Sequence, residues 1–188
     1  HKLSMSRDEL LSVATALEGH PDNVAPALFG GLTASAVEAG IPLSVHYPLS
    51  PKLHFTALIP PFELSTAHSR GVLPHDVPRA DAIFNVSRAA LLLSALGSGD
   101  IALLRAAMAD RLHEPYRRAL IDGYDTARGL AYKHGAEAMC ISGAGSTLLC
   151  VAAHPTLAGD ISADLAAHLP GWRAVTLLPE LEGAHVEE

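Results

Sequence analysis

Cysteine is nearly absent from this chain: only Cys140 and Cys150 occur in 188 residues. Two cysteines make no disulfide framework, so a reduced, cytoplasmic protein is the expectation. They flank a glycine turn and either face each other across a hairpin or serve as two small buried apolar residues, which is the commoner use. Basic charge is also scarce, with 13 Lys and Arg against 20 Asp and Glu and a net charge of −7. That excludes a general nucleic-acid surface, which needs a basic stripe. No unbroken apolar run reaches the roughly 18 residues of a membrane span; the longest, Ala89 to Leu96, suits a buried helix. The 11 His show no zinc-site spacing with a third ligand nearby, so no metal site is expected from them. No internal repeat or low-complexity stretch is present, and no initiator Met precedes His1.

What is present is apolar and globular. Hydrophobic residues make up 49% of the chain, enough for a sizeable core. Ser6-Arg7-Asp8-Glu9 has the form of a capping box and opens a helix through about Leu17, with Leu10, Val13, Ala14 and Leu17 on one face and Gly19 as its stop. Asp22 is placed to cap a short second helix, 23–28. Strands are expected at 32–37, 43–47 and 53–59, the last stopped by Pro60-Pro61. Helical segments follow at 65–72, 79–96, 101–108, 114–121 and 125–134. Of these, 79–96 is expected to be buried. Then come a strand at 136–141, a glycine loop, a strand at 147–152, a helix at 156–169 and a strand at 172–178. From Leu53 on, this is the βαββαβ order of a ferredoxin-like domain. The acidic tail from Glu180 is expected to fray.

Three stretches are dense in chemistry. Glu18-Gly19-His20-Pro21-Asp22-Asn23-Val24-Ala25-Pro26, running into Phe29-Gly30-Gly31, packs two carboxylates, an imidazole and a carboxamide around a proline. Taken alone it is equally a turn or a site. Arg70 follows Thr66 by four residues, so one helical face presents both; Arg117 lies in Asp110-Arg111-Leu112-His113-Glu114-Pro115-Tyr116-Arg117. Arginine forks suit carboxylates and phosphates, although a single Arg is more often solvated helix surface. Ser142-Gly143-Ala144-Gly145-Ser146-Thr147 turns tightly between two strands and is suited either to a hairpin or to an anion. It lacks the Gly-Lys-Ser/Thr ending of a Walker loop.

Together these stretches resemble the homoserine kinases, a branch of the GHMP kinases (galacto-, homoserine, mevalonate and phosphomevalonate kinases). The segment 18–31 resembles the homoserine kinase signature. Thr66 and Arg70 before Leu73-Pro74 resemble that family's threonine-to-arginine segment, Asp110 to Arg117 its second arginine segment, and 142–147 its glycine-rich third motif, with Ser146 in place of a frequent proline. The N-terminal strand motif and the phosphate loop of GHMP kinases have no counterpart here, so the chain resembles the C-terminal portion of such an enzyme. The resemblance implies an α+β fold, two-layer and GHMP-kinase-like. Residues 1–50 would be the remainder of an N-terminal domain and 51–188 a ferredoxin-like C-terminal domain.

It also implies transfer of the ATP γ-phosphoryl group to the side-chain hydroxyl of L-homoserine, in threonine biosynthesis. Arg70 and Arg117 would clamp the carboxylate. His20 and Asn23 would contact substrate, with Asn23 near the reacting hydroxyl and Thr66 near the transferred phosphoryl. Asp22 holds the place of a base assigned in the mevalonate branch, whereas the homoserine branch is described as working without one. Gly143, Ala144, Gly145 and Ser146 would form the loop beside substrate and phosphate. ATP and Mg²⁺ would bind mainly through the segment without a counterpart, leaving these 188 residues inactive alone. Other readings are a GHMP kinase for another small hydroxylated acid, or an inactive ligand-binding remnant. A homodimer is compatible with the sequence; a nucleic-acid or membrane partner is not expected.

Overall fold

The computed structural model describes residues 5–185, which divide into two compact units: 5–49 with 179–185, and Ser50–Leu178.

The first unit opens with helix α1, Arg7–Glu18. Ser6 and Glu9 form the expected capping box, with the Ser6 N–H donating to Glu9 Oε2 (2.7 Å) and the Glu9 N–H to Ser6 Oγ (3.3 Å). Such a cap stabilises a helix by about 1 kcal/mol. Gly19 closes the helix in the left-handed region, φ +95°. The buried side is not the expected Leu10–Val13–Leu17 stripe: Leu11 and Thr15 are buried, while Val13 and Leu17 are exposed. Helix α2, Val24–Phe29, is flanked by Asn23, not by a capping Asp22. Strands β1, Leu32–Glu38, and β2, Ile41–Tyr47, form an antiparallel hairpin. Its turn places Ala39 and Gly40 at positive φ, the geometry whose twist matches a two-residue hairpin.

The tail is tied into this unit. Gly31 N–H donates to Glu180 O (2.7 Å), Ala184 N–H to Ala27 O (3.0 Å), and the Arg7 guanidinium to Glu182 O and Ala184 O (both 3.2 Å). These bonds tie 180–184 into the unit, against the expected fraying; the end of that acidic tail, 186–188, lies outside the described residues. A Cβ on Gly30 would stand 2.5 Å from the Leu181 carbonyl carbon and 2.6 Å from Gly183 N, so only glycine admits this contact.

The second unit is built on a four-stranded antiparallel sheet in the order β4-β5-β3-β6. The strands are β3, His54–Ile59, β4, Ala136–Ile141, β5, Leu148–Ala152, and β6, Arg173–Leu177. Along the chain the elements run strand, helices, strand, strand, helix, strand, the βαββαβ succession expected from the sequence. Helices α7, Tyr124–Lys133, and α8, Leu157–His168, supply Ala127, Leu130, Ile161 and Leu165 to a core that includes Leu58, Met139, Leu148 and Cys150. Those strand residues alternate with Leu53, Ala138 and Val151, which share a second core with Ala95, Leu104 and Ala107. These last come from α4, Arg79–Ser98, and from α5, Ile101–Ala107, whose following loop begins at Met108. Asp100 caps α5 through Leu103 N–H (3.0 Å).

Helix α4 departs from expectation twice. Only Ala95 is buried, and Ile83, Val86 and Leu91 are exposed. By length and composition α4 could also cross a membrane. A search for unbroken apolar runs misses this, because Asp81, Asn85 and Arg88 interrupt an otherwise alanine- and leucine-rich helix. Its C-terminal half instead packs Leu92, Ala95 and Leu96 into the second core.

Candidate active site

In the first unit, the turn between α1 and α2 gathers His20, Asp22 and Asn23. Asp22 Oδ1 lies in short contact with His20 Nδ1 and accepts the Asn23 N–H at 3.1 Å. Asp22 and Asn23 are exposed and His20 is half-buried. The carboxylate therefore orients the imidazole, and it is already engaged on one oxygen. Asn23 and Glu18 also line an apolar groove of about 450 Å³ with Leu10, Ala14, Val24 and Leu28.

In the second unit, helix α3, Thr66–Gly71, begins at Ser65, whose Oγ accepts the His68 N–H (3.1 Å). This cap sets Thr66 at the first helical position, and Thr66 and Arg70 are both exposed. Helix α6, Glu114–Arg117, is a single turn continued by a 3₁₀ turn over Arg118–Leu120. It delivers Arg117, which is buried, 9% exposed. Arg117 Nε donates to Ser69 O and Nη1 to Gly143 O, each at 3.1 Å. One guanidinium thus joins α3, α6 and the glycine loop. Two of the fork's donors are committed to backbone carbonyls, so Arg117 is a structural tie as well as a candidate ligand.

The loop itself is closed by Ser142 N–H to Thr147 O and Gly145 N–H to Ser142 O, both 2.9 Å. Ser146 Oγ donates to Phe62 O at 2.7 Å. That hydroxyl thereby anchors the loop to the chain at Phe62. Gly143 is exposed, at φ +56° with open space where a Cβ would stand. Gly145, at φ +91°, would press a Cβ to 3.3 Å from Ile141 and 3.4 Å from Ile121.

Asp110, named in the sequence but given no role there, holds the second arginine segment. Its carboxylate accepts from Asn85 Nδ2 (2.5 Å) and from the N–H groups of Leu112 (2.9 Å), His113 (2.8 Å) and Glu114 (2.5 Å). Burial pushes the Asp110 carboxyl up, but these donors outweigh it and hold its pKa below the ordinary 3.8. Asn85 also accepts the Arg111 N–H at 2.9 Å. A signal for this network was available: an Asn in the middle of a helix is costly unless its side chain has work elsewhere. On the other side of α6, the Tyr124 hydroxyl donates to Glu114 Oε1 at 2.5 Å. Burial and that carboxylate push the phenol up, so it stays a donor. Among the described residues, no group of three or more His, Cys, Asp or Glu is placed to hold a metal.

The cysteines do not face each other. Cys140 pairs with Leu149 and Cys150 with Met139 across the β4–β5 ladder, and both are free thiols. Burial pushes them up to about 11 and about 12 respectively.

Residues 92–171 match the family described as GHMP kinases C terminal. A homoserine kinase from Moorella thermoacetica is 48% identical over 141 residues, 75% of this chain and 48% of the relative. The crystal structure of homoserine kinase from Cytophaga hutchinsonii superposes with a TM-score of 0.87 at 26% identity, covering 97% of this chain and 61% of that one. A putative homoserine kinase from Listeria monocytogenes superposes at 0.78 with 31% identity, covering 100% and 63%. The chain spans about half the length of the curated relatives it matches. Residues 92–171, within the second unit, therefore match the GHMP kinases C-terminal family, and the chain as a whole is similar in sequence and fold to homoserine kinases.

Proposed function

We propose that this chain is the substrate-holding portion of an ATP-dependent homoserine kinase, which phosphorylates the side-chain hydroxyl of L-homoserine. The observation that carries the reading is Arg117: one buried guanidinium joining the helix of Thr66 and Arg70 to the glycine loop, within segments whose relatives are named homoserine kinases. Phosphoryl transfer depends on positioning and charge stabilisation more than on covalent chemistry. Arg70 and Arg117 are assigned to the substrate carboxylate, His20 and Asn23 to further substrate contacts, and Thr66 and the Gly143–Ser146 loop to the phosphoryl group. Asp22 is assigned to orienting His20, since its Oδ1 is already engaged. ATP is the phosphoryl donor of this reading. Mg²⁺ accompanies ATP in this reading and would be held largely by the phosphates and water with one or two carboxylates; among the described residues no group of three or more His, Cys, Asp or Glu is placed to hold a metal by itself.

A ³¹P assay for O-phosphohomoserine from ATP and L-homoserine tests the reading. It is run on the gene product at the length its genome encodes and on the 188-residue chain. The expected result is phosphohomoserine from the first and homoserine binding without turnover by the second. A gene product that leaves L-homoserine unphosphorylated sinks the proposal.

A further inference from the structure

We infer that a cleft on the second unit, at the free edge of its sheet, binds a small amphipathic carboxylate. The cleft encloses about 270 Å³, just under the roughly 300–1,000 Å³ of typical ligand pockets. It lies against β4, the edge strand, between the end of α5 and helix α7. Its apolar lining is Met108, Ala109, Ala138 and Met139; its polar lining is Arg105, Arg128, Tyr132 and one carboxylate, Glu114. The two guanidinium carbons lie 5.4 and 5.8 Å from the Tyr132 ring centroid, so one ring supports both cations.

Neither arginine is matched by a bidentate carboxylate. Arg105 Nε donates to Glu137 O (3.0 Å), but its Nη2 stands 3.6 Å from Glu137 Oε2. Arg128 Nη1 stands 3.9 Å from Glu114 Oε1, an oxygen already taken by the Tyr124 hydroxyl at 2.5 Å. Both separations exceed hydrogen-bond length. Two planar forks beside one apolar lining suit a planar carboxylate head on a short aliphatic tail. The cleft shares no residue with the assigned homoserine contacts, and it stands or falls without that reading. It does share helix α6, which carries Glu114 at the cleft and Arg117 at the glycine loop.

The chain supplies its own reporters. It has three methionines, of which Met108 and Met139 line the cleft and Met5 lies in the other unit. Methyl-¹³C methionine NMR of the whole chain is therefore read during titration with hexanoate, with hexan-1-ol as the uncharged control. Saturable shifts of Met108 and Met139, an unmoved Met5, and at least tenfold weaker binding of hexan-1-ol are expected. Arg105→Gln and Arg128→Gln, each checked for folding by Trp172 fluorescence, should each weaken hexanoate at least tenfold. The inference is overturned by still Met108 and Met139 signals, by equal shifts of all three methionines, or by hexan-1-ol binding as well as hexanoate. Those three readings need no variant to fold.

Discussion

At the scale of single residues, Arg117 and Asp110 carry the most. Arg117→Ala removes two charge-assisted bonds to Ser69 O and Gly143 O and leaves the carbonyl of buried Ser69 without that partner. We expect a loss of about 2–4 kcal/mol in urea unfolding followed by Trp172, the only tryptophan. Arg117→Lys should not restore it, because an ammonium cannot span two carbonyls as a fork does. An unchanged midpoint would show that the tie is not structural. Asp110 predicts a pH dependence. Its folded pKa is depressed, so its stabilisation is complete above the ordinary 3.8 and is lost as pH falls through the lower folded value. Asp110→Asn should flatten the acid limb of stability against pH below about pH 4; an identical acid limb would remove the role given to this carboxylate. Asp22→Asn in an active enzyme should lower kcat by less than about tenfold, against the 10²–10⁴ of a lost general base, and a thousandfold drop with the fold intact would make Asp22 the base. Cys140 and Cys150, with thiols pushed up to about 11 and 12, should resist alkylation at pH 8 until the chain unfolds.

At the scale of elements, structure is legible in the sequence where a local rule is also the structural cause. The Ser6–Glu9 box, the Gly19 stop and the βαββαβ succession of elements follow from capping, turn chemistry and alternation, and the structure has each of them. The departures come where tertiary partners decide. Asp22 has cap chemistry but turns to His20. Leu10, Val13 and Leu17 share a face by spacing, yet burial falls on Leu11 and Thr15. The tail looks frayed by composition, but its backbone bonds run to Ala27 and Gly31, which no local pattern announces. The arginine segments were visible as motifs, whereas the Asn85–Asp110 bridge crosses 25 positions. Glycine at position 30 tests the tail. A Cβ there would meet backbone, not a yielding side chain, and the residue sits at φ +77°. Gly30→Ala should therefore release the tail, seen as faster exchange of the Ala184 amide; retained protection would contradict the packing described.

At the scale of the whole molecule, the two units differ in what they bury. Among the described residues of the first, Leu11, Pro21 and Ala25 are the buried apolar side chains. Its hairpin exposes Ile41, Leu43 and Val45, an apolar sheet face that invites association. The second unit holds two buried clusters. Apolar burial is the main favourable term in folding, so the first unit should melt first. Far-UV circular dichroism should show a transition that Trp172, in the second unit, does not report; one coincident transition would contradict this. The central claim is that the chain holds homoserine by its carboxylate. The direct measurement is calorimetric titration of the 188-residue chain with L-homoserine and with 3-aminopropan-1-ol, which keeps the amine and hydroxyl but lacks the carboxylate. A charge-assisted bond worth about 1.5–3 kcal/mol predicts saturable homoserine binding at least tenfold tighter than that of the amino alcohol. Equal affinities, or no homoserine binding by the folded chain, would contradict the account.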